Sequence, residues 1–401
     1  MDQAPKALFN PQAADARVLG VLQPELHDLP ALLETWSEPT PLRVSGGGTT
    51  SRAAVSGCWS LDLSAHVRSV VWDGSTATVR IGAGSRVGDV LEVLVPHQRT
   101  IAAGLSGLPG MGYVLTGGMG PLSRRFGLAV DQLTSLTGVW GGGEPFRLER
   151  SRDGQTDEWR GLCGAAPFLA VVTEVELMTQ KLQPLWVQQS SGAPQQLPDW
   201  IETAEHTGAG VSLQWHWGES DQLTRLQVRC DPAPDHICIE GLHQLPPLAS
   251  TPLGQPRLHG EVVGLLGPAN STGWRRLLPE LQGLMDQRPH RNCSLSAQQL
   301  GEATAQVAVG ETSFIHRDAV WKPWITAVWP AGDADRRQRS LAWLERVWQL
   351  LHTVCPGVHL AQLHDQLPFH QRELEQAFGA WLPSLRQLKR QRDPRCVLPP
   401  L

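Results

Sequence analysis

The residues best placed to do chemistry in this chain lie in and around two glycine-rich loops. The first reads Val44-Ser45-Gly46-Gly47-Gly48-Thr49-Thr50. The second runs from Gly104 through Gly110, Gly112 and Tyr113 to Gly117-Gly118-Met119-Gly120-Pro121-Leu122-Ser123. Glycine lets main-chain N–H groups approach a ligand closely and adopt positive φ where a Cβ would clash. Successive turn amides form a concavity that binds anions. Two such loops point to one elongated, phosphate-bearing cofactor touched at both ends. The competing reading is a set of ordinary tight turns in a chain with 40 glycines among 401 residues.

Composition narrows the classes of function. A net charge of -5 and no concentrated basic patch argue against a nucleic-acid binder. No run of 18 apolar residues provides a membrane span. The N-terminus lacks a basic segment followed by an apolar one, so no standard secretion signal is expected. Seven scattered cysteines with no metal-ligand spacing suit free thiols in a reducing cytoplasm. Sixteen tryptophans accompany a single tyrosine, Tyr113.

The elements that must position the loops are short and mixed. Strand patterns occur at 41–44, 59–63, 69–72, 77–82, 135–140, 146–149 and 170–178. Residues 87, 90, 91 and 94 have helical spacing. No strand–GxGxxG–helix unit is present, which disfavours a doubly wound dinucleotide fold. Gln and Pro accumulate at 180–200, where a boundary is expected. Beyond it, 211–217 and 223–230 read as a hairpin pair. Further strands are predicted at 257–265, 305–309, 320–329 and 358–364, and helices at 273–286, 336–354 and 371–391. This second region reads as an antiparallel sheet covered by helices.

At the glycine loops the chain resembles the FAD-linked oxidases of the vanillyl-alcohol-oxidase class, the PCMH-type FAD-binding family. Residues 44–50 resemble the family's pyrophosphate loop, and Leu61-Asp62-Leu63-Ser64 the strand after it. Gly82-Ala83-Gly84 with Val87 to Leu94 resembles its "GAG" strand–helix turn. Gly117 to Gly127 resembles its most distinctive string, and Arg160 to Glu174 a further strand motif. Phe314-Ile315-His316-Arg317 and Leu385 to Pro394 resemble two recurring C-terminal motifs. The stretch 180–300 carries little of the pattern.

The resemblance implies an α+β fold: a PCMH-type FAD-binding domain of two α+β subdomains over 1–180, completed by 366–401. A substrate domain over 181–365, with an antiparallel sheet covered by helices, would lie over the flavin. It implies FAD as cofactor, with Ser45, Gly46, Gly47, Gly48, Thr49 and Thr50 around the pyrophosphate. Gly110, Gly112, Tyr113, Gly117, Gly118, Gly120 and Ser123 would supply the second contact surface. The backbone at Val171 and Val172 would lie against the adenine or flavin.

Departures from the pattern bear on the chemistry. Where relatives tether the flavin through histidine or cysteine, this chain has Gly48 and Leu105, so non-covalent FAD is expected. The arginine common before the glycines is Ser45 here, with Arg43, Arg124 or Arg125 as substitutes. Leu360 and Leu363 replace the usual tyrosines near the flavin, and Gln362 replaces asparagine. His359 and His364 are then the available bases, since histidine titrates near neutrality. Period-2 alternation puts Gln362 and His364 on one face, so His364 is predicted as base and Gln362 as orienting group.

The expected function is hydride transfer from a small organic substrate to FAD, with oxygen or another acceptor completing the cycle. No nucleic-acid or membrane partner is expected. A flavin-binding scaffold that has lost turnover is the alternative. Packing roles are expected for His216 and Cys163, an ion pair for Arg317, a solvated face for Arg336, Arg337 and Arg339, and a helix-ending turn at Asp393-Pro394.

Overall fold

The computed structural model describes residues 8–220, 222–248, 258–363 and 370–401. Three strands near the N-terminus, Gly20–Leu22, Trp59–Asp62 and Arg43–Ser45, form a parallel sheet with Trp59–Asp62 in the middle. A five-stranded antiparallel sheet follows, in the order Val70–Asp73, Thr78–Gly82, Ala170–Met178, Leu133–Trp140, Pro145–Glu149. The helix Val87–Leu94 buries Val87, Val90, Leu91 and Leu94, the four positions of its helical spacing. The Asp89 carboxylate accepts from the Arg86 N–H at its first turn, satisfying one of the donors a helix start leaves open.

An eight-stranded antiparallel sheet makes the second layer. Its order is Ile237–Ile239, Leu185–Gly192, Leu223–Arg229, Val211–Trp217, Ser294–Gln299, Trp321–Pro330, Leu258–Leu266, Gly357–Val358. Helices Leu197–Glu205, Ser271–Asp286 and Ala334–His352 cover one face. Asn270 and Asp333 cap the last two by accepting from the N–H groups of Gly273 and Arg336. The alternation of these strands decides what lies beneath. Leu213, Trp215, Leu295, Ala297, Trp321 and Ile325 pack into the helix-covered core, while Leu226 and Val228 join the core of the N-terminal region.

That N-terminal core draws on the C-terminal segment as well, through Phe378, Trp381, Leu385 and Leu388. Lys389 fastens it: its ammonium reaches the Phe168 carbonyl and the Asp393 carboxylate, which also accepts from the Val397 and Leu398 N–H groups.

The structure departs from the sequence reading at three places. Residues 305–309 are not a strand: Glu302–Ala305 is a 3₁₀ turn, and the strand lies earlier, at Ser294–Gln299. Its run Ser-Leu-Ser-Ala-Gln-Gln is too polar to signal a buried strand, yet all six residues are buried. The strand expected at 358–364 ends at Val358, and Leu360–Gln362 is a 3₁₀ turn, so alternation does not order Gln362 and His364. The helix expected over 371–391 is two, His370–Phe378 and Leu382–Arg392, separated by a 3₁₀ turn at Gly379–Trp381. Gly379 at φ +48° sets that break.

Candidate functional site

A cavity of about 370 Å³ opens where the first glycine loop meets the eight-stranded sheet. Its floor is the backbone of Ser45 to Thr50, with Arg43 and Arg52 beside it; Gly110, Gly112 and Tyr113 form one wall. Gly260, Glu261 and Val262 of the sheet, with His359 and Gln362, close it from above. Its size is that of a small-molecule site.

The loop is built for an anion. None of the N–H groups of Gly46, Gly47, Gly48, Thr49 and Thr50 donates to a partner among the described residues. Five consecutive amides are thus available beside a ligand, with two arginines adjoining. Gly48 holds φ +68°, a conformation that favours glycine. Gly47 and Gly110 serve a different need, because the two loops touch back to back. A Cβ on Gly47 would meet the Gly110 nitrogen at 2.6 Å, and one on Gly110 would meet the Gly47 nitrogen at 2.5 Å. Gly112 borders open space, with nothing within 4 Å of the position its Cβ would take. Ser51 Oγ donates to the Glu261 carboxylate, joining the loop to the sheet above it.

His359 is the group most clearly aimed at a ligand. It is 1% exposed, and its Nδ1–H donates to Gln362 Oε1 at 3.0 Å. That bond leaves Nε2 as acceptor, and Nε2 has no partner among the described residues. Burial, then the positive charge of Lys322 and, less strongly, of Arg52, holds the imidazole well below its ordinary pKa against the opposing bond from Gln362. His359 is therefore neutral near pH 7. The turn that carries it lies close on Gly264, whose Cβ would meet the His359 Cβ at 2.9 Å. The Tyr113 ring stands edge-on to the imidazole, centroids 5.8 Å apart. Its hydroxyl donates to the Met119 carbonyl at 2.8 Å, and burial pushes its pKa up, so it holds its proton.

The structure gathers some of the residues named from sequence and separates others. Ser45, Gly46, Gly47, Gly48, Thr49, Thr50, Gly110, Gly112, Tyr113 and Gln362 line the cavity. Gly117, Gly118, Gly120 and Ser123 do not. Ser123 Oγ accepts from the Gly120 N–H, Gly120 packs on the Gly104 backbone, and Gly118 packs on Ala129. Val171 and Val172 are buried in the five-stranded sheet, paired with Val139 and Gly138. His364 lies outside the described residues.

Of the three candidate arginines, Arg43 lines the cavity. Arg124 is turned away, its guanidinium donating to the carbonyls of Val211, Leu300 and Thr207. Arg125 bonds Gln183 at the surface. Arg317 makes a buried bidentate pair with Asp131. His216 packs in its strand, bonded to Ser296. Sequence reasoning missed Arg52, Glu261 and Lys322, for which no local pattern gives a signal.

Residues 26–149 match the FAD binding domain family. An FAD-dependent monooxygenase of Arthrobotrys oligospora is 33% identical over 114 residues, 28% of this chain and 22% of that protein. The FAD-linked oxidoreductase janO of Penicillium janthinellum is 29% identical over 187 residues, 44% of this chain and 40% of its own length. The match thus spans less than half of these relatives. Among solved structures, chitooligosaccharide oxidase superposes with a TM-score of 0.81 at 17% identity, over 98% of this chain and 92% of that one. Berberine bridge enzyme from Eschscholzia californica does so at 0.80 and 16%, over 98% and 92%. Residues 26–149 thus match an FAD-binding domain, and nearly the whole chain has the fold shared by chitooligosaccharide oxidase and berberine bridge enzyme.

Proposed function

We propose that this protein is an FAD-dependent oxidoreductase acting on a small organic molecule. The observation that carries the reading is the row of five unengaged amides at Gly46 to Thr50, flanked by Arg43 and Arg52, beneath a cavity whose roof presents the Nε2 acceptor of His359. Bound FAD supplies the hydride acceptor; the protein supplies position and electrostatics.

The residues fit that cofactor. The amides of the first loop and the two arginines suit its pyrophosphate, and the open side of Gly112 leaves room for a ring system. Gln362 fixes the His359 tautomer, so that Nε2 receives a hydrogen bond and orients its donor. Tyr113, with its proton committed to Met119, shapes the wall and removes no proton. His364 remains a candidate base by sequence alone.

No cysteine lines the cavity among the described residues, and Gly48 stands in the loop, which supports FAD held without a covalent bond. Oxygen or another small acceptor would return the flavin to its oxidised form. All seven cysteines are free, and no helix among the described residues is long and apolar enough to cross a membrane, which favours a reducing, aqueous compartment.

The test is the visible spectrum of the purified protein before and after acid precipitation, then anaerobic mixing with alcohols, amines and hydroxy acids. Yellow colour released into the supernatant and bleached by one donor class supports the reading. Colour retained in the pellet sinks the non-covalent part. Flavin that binds and is bleached by no donor favours a binding scaffold instead.

A further inference from the structure

On the sheet face turned away from the helices, Gln214, Gln298 and Lys322 stand side by side: Gln214 pairs with Gln298, and Gln298 with Lys322. The same row continues at Leu226, which packs into the N-terminal core, so this polar row faces the FAD-binding region. It is also the sheet surface on which the His359 turn lies, since Gly264, whose Cβ would meet the His359 Cβ, pairs with Trp324, two residues along the same strand and on the same face as Lys322. We propose that Lys322, Gln298 and Gln214 form a subsite for a carboxylate-bearing hydroxy compound, so that the molecule oxidised is a hydroxy acid in its anionic form. This rests on the flavoprotein reading above and narrows its substrate class.

The physical case is an unbalanced polar cluster. Lys322 is 5% exposed and has no acidic partner among the described residues; its Nζ lies 4.5 Å from the centroid of the Trp324 ring. Buried charges are ordinarily paired, because an isolated ammonium costs several kcal/mol to remove from water. Gln298 is fully buried, and neither its Nε2 nor its Oε1 has a partner among the described residues. Gln214 is equally buried, with Nε2 spent on Ser212 Oγ and Oε1 without a partner.

Taken together, the row offers one cation, one amide donor and two amide acceptors in a place closed to solvent. A carboxylate satisfies the cation and the donor, and a hydroxyl satisfies an acceptor. A simple alcohol leaves the ammonium unpaired; a phosphate brings more charge than one lysine balances. The depressed pKa of Lys322, pulled from 10.5 to about 7 by burial alone, is the mark of a cation whose counter-charge the protein does not provide.

Benzoate and its neutral isostere benzamide are the probes, titrated calorimetrically into the FAD-loaded protein at pH 6.5. Benzoate is expected to bind at least tenfold more tightly than benzamide. Lys322→Met should abolish that preference, leaving benzamide binding and FAD affinity within threefold. Equal binding of the two probes, binding of neither, or a preference that survives in Lys322→Met overturns the proposal. Comparison of the probes on the unsubstituted protein decides the matter even if Lys322→Met does not fold. Calorimetry reads benzoate with or without flavin. A protein that binds benzoate selectively but not FAD therefore defeats the flavoprotein reading alone, and one that binds FAD but not benzoate defeats the subsite alone.

Discussion

The two glycine loops look interchangeable as strings and behave differently as structures. In the first, the amides of residues 46–50 have no partner among the described residues, and the segment lines a cavity. In the second, Gly117 donates to the Val114 carbonyl, Gly120 to Ser123 Oγ, and Ser123 N–H to the Gly120 carbonyl. Glycine in the first loop leaves donors for a ligand; glycine at 118 and 120 lets the chain fold against itself. Between them, Gly112 faces the ligand side and Gly110 the packing side. Glycine content therefore says that something approaches the backbone closely, and only the packing says whether it is a ligand or another strand of the same chain.

This contrast can be broken by substitution. The largest effect is expected from Gly47→Ala, where the new Cβ meets backbone at 2.6 Å and the neighbour cannot yield. FAD affinity should fall at least a hundredfold, about 3 kcal/mol, and the melting temperature with it. Titration with FAD alongside thermal unfolding checks both; unchanged affinity would erase the distinction between the loops.

Arg124→Met removes the donors that hold three carbonyls of the second layer. It should cost about 3 kcal/mol of stability, because buried acceptors are left unpartnered. Urea unfolding measures it, and a loss under about 1 kcal/mol would show that those carbonyls find other donors.

Gly118→Ala sets a side chain at φ +68° with its Cβ 2.5 Å from the Ala129 Cβ. The expected loss is about 2 kcal/mol, with FAD affinity unchanged in protein that remains folded. Its counterpart is Gly112→Ala, which should leave the melting temperature alone and weaken FAD about tenfold, ~1.4 kcal/mol. If the two effects were exchanged, the roles assigned to the loops would be reversed.

A last effect lies in the sheet above the first loop and depends on pH. Folded Lys322 releases its proton near pH 7, whereas the unfolded chain holds it to 10.5. Between those values the unfolded state binds more protons, so stability rises with pH. Thermal midpoints from pH 7 to 9 should climb more in the unsubstituted protein than in Lys322→Met. Parallel curves would show that the lysine is not buried as a cation.

Much of the scaffold was legible in the residues. The strands 170–178 and 211–217 and the helix at 87–94 follow their apolar periods closely, because each presents one apolar face to a core. Ser294–Gln299 was not legible: its other face is serine and glutamine, and with only Leu295 and Ala297 facing the core the alternation is too short and weakly apolar to mark a buried strand. The strand expected at 358–364 failed because Leu360 and Leu363 are buried in a turn rather than along a strand.

The chain's own residues determined that two glycine-rich backbone segments lie within an FAD-type domain, since glycine spacing is a local property. Which segment keeps its amides for a ligand, and that Arg43, Arg52, Glu261 and His359 meet around one cavity, was decided by the fold. The two arginines lie more than 200 positions from Glu261 and His359. Hydrogen bonding and burial at such distances depend on how sheets and turns stack, a relation that no stretch of neighbouring residues encodes.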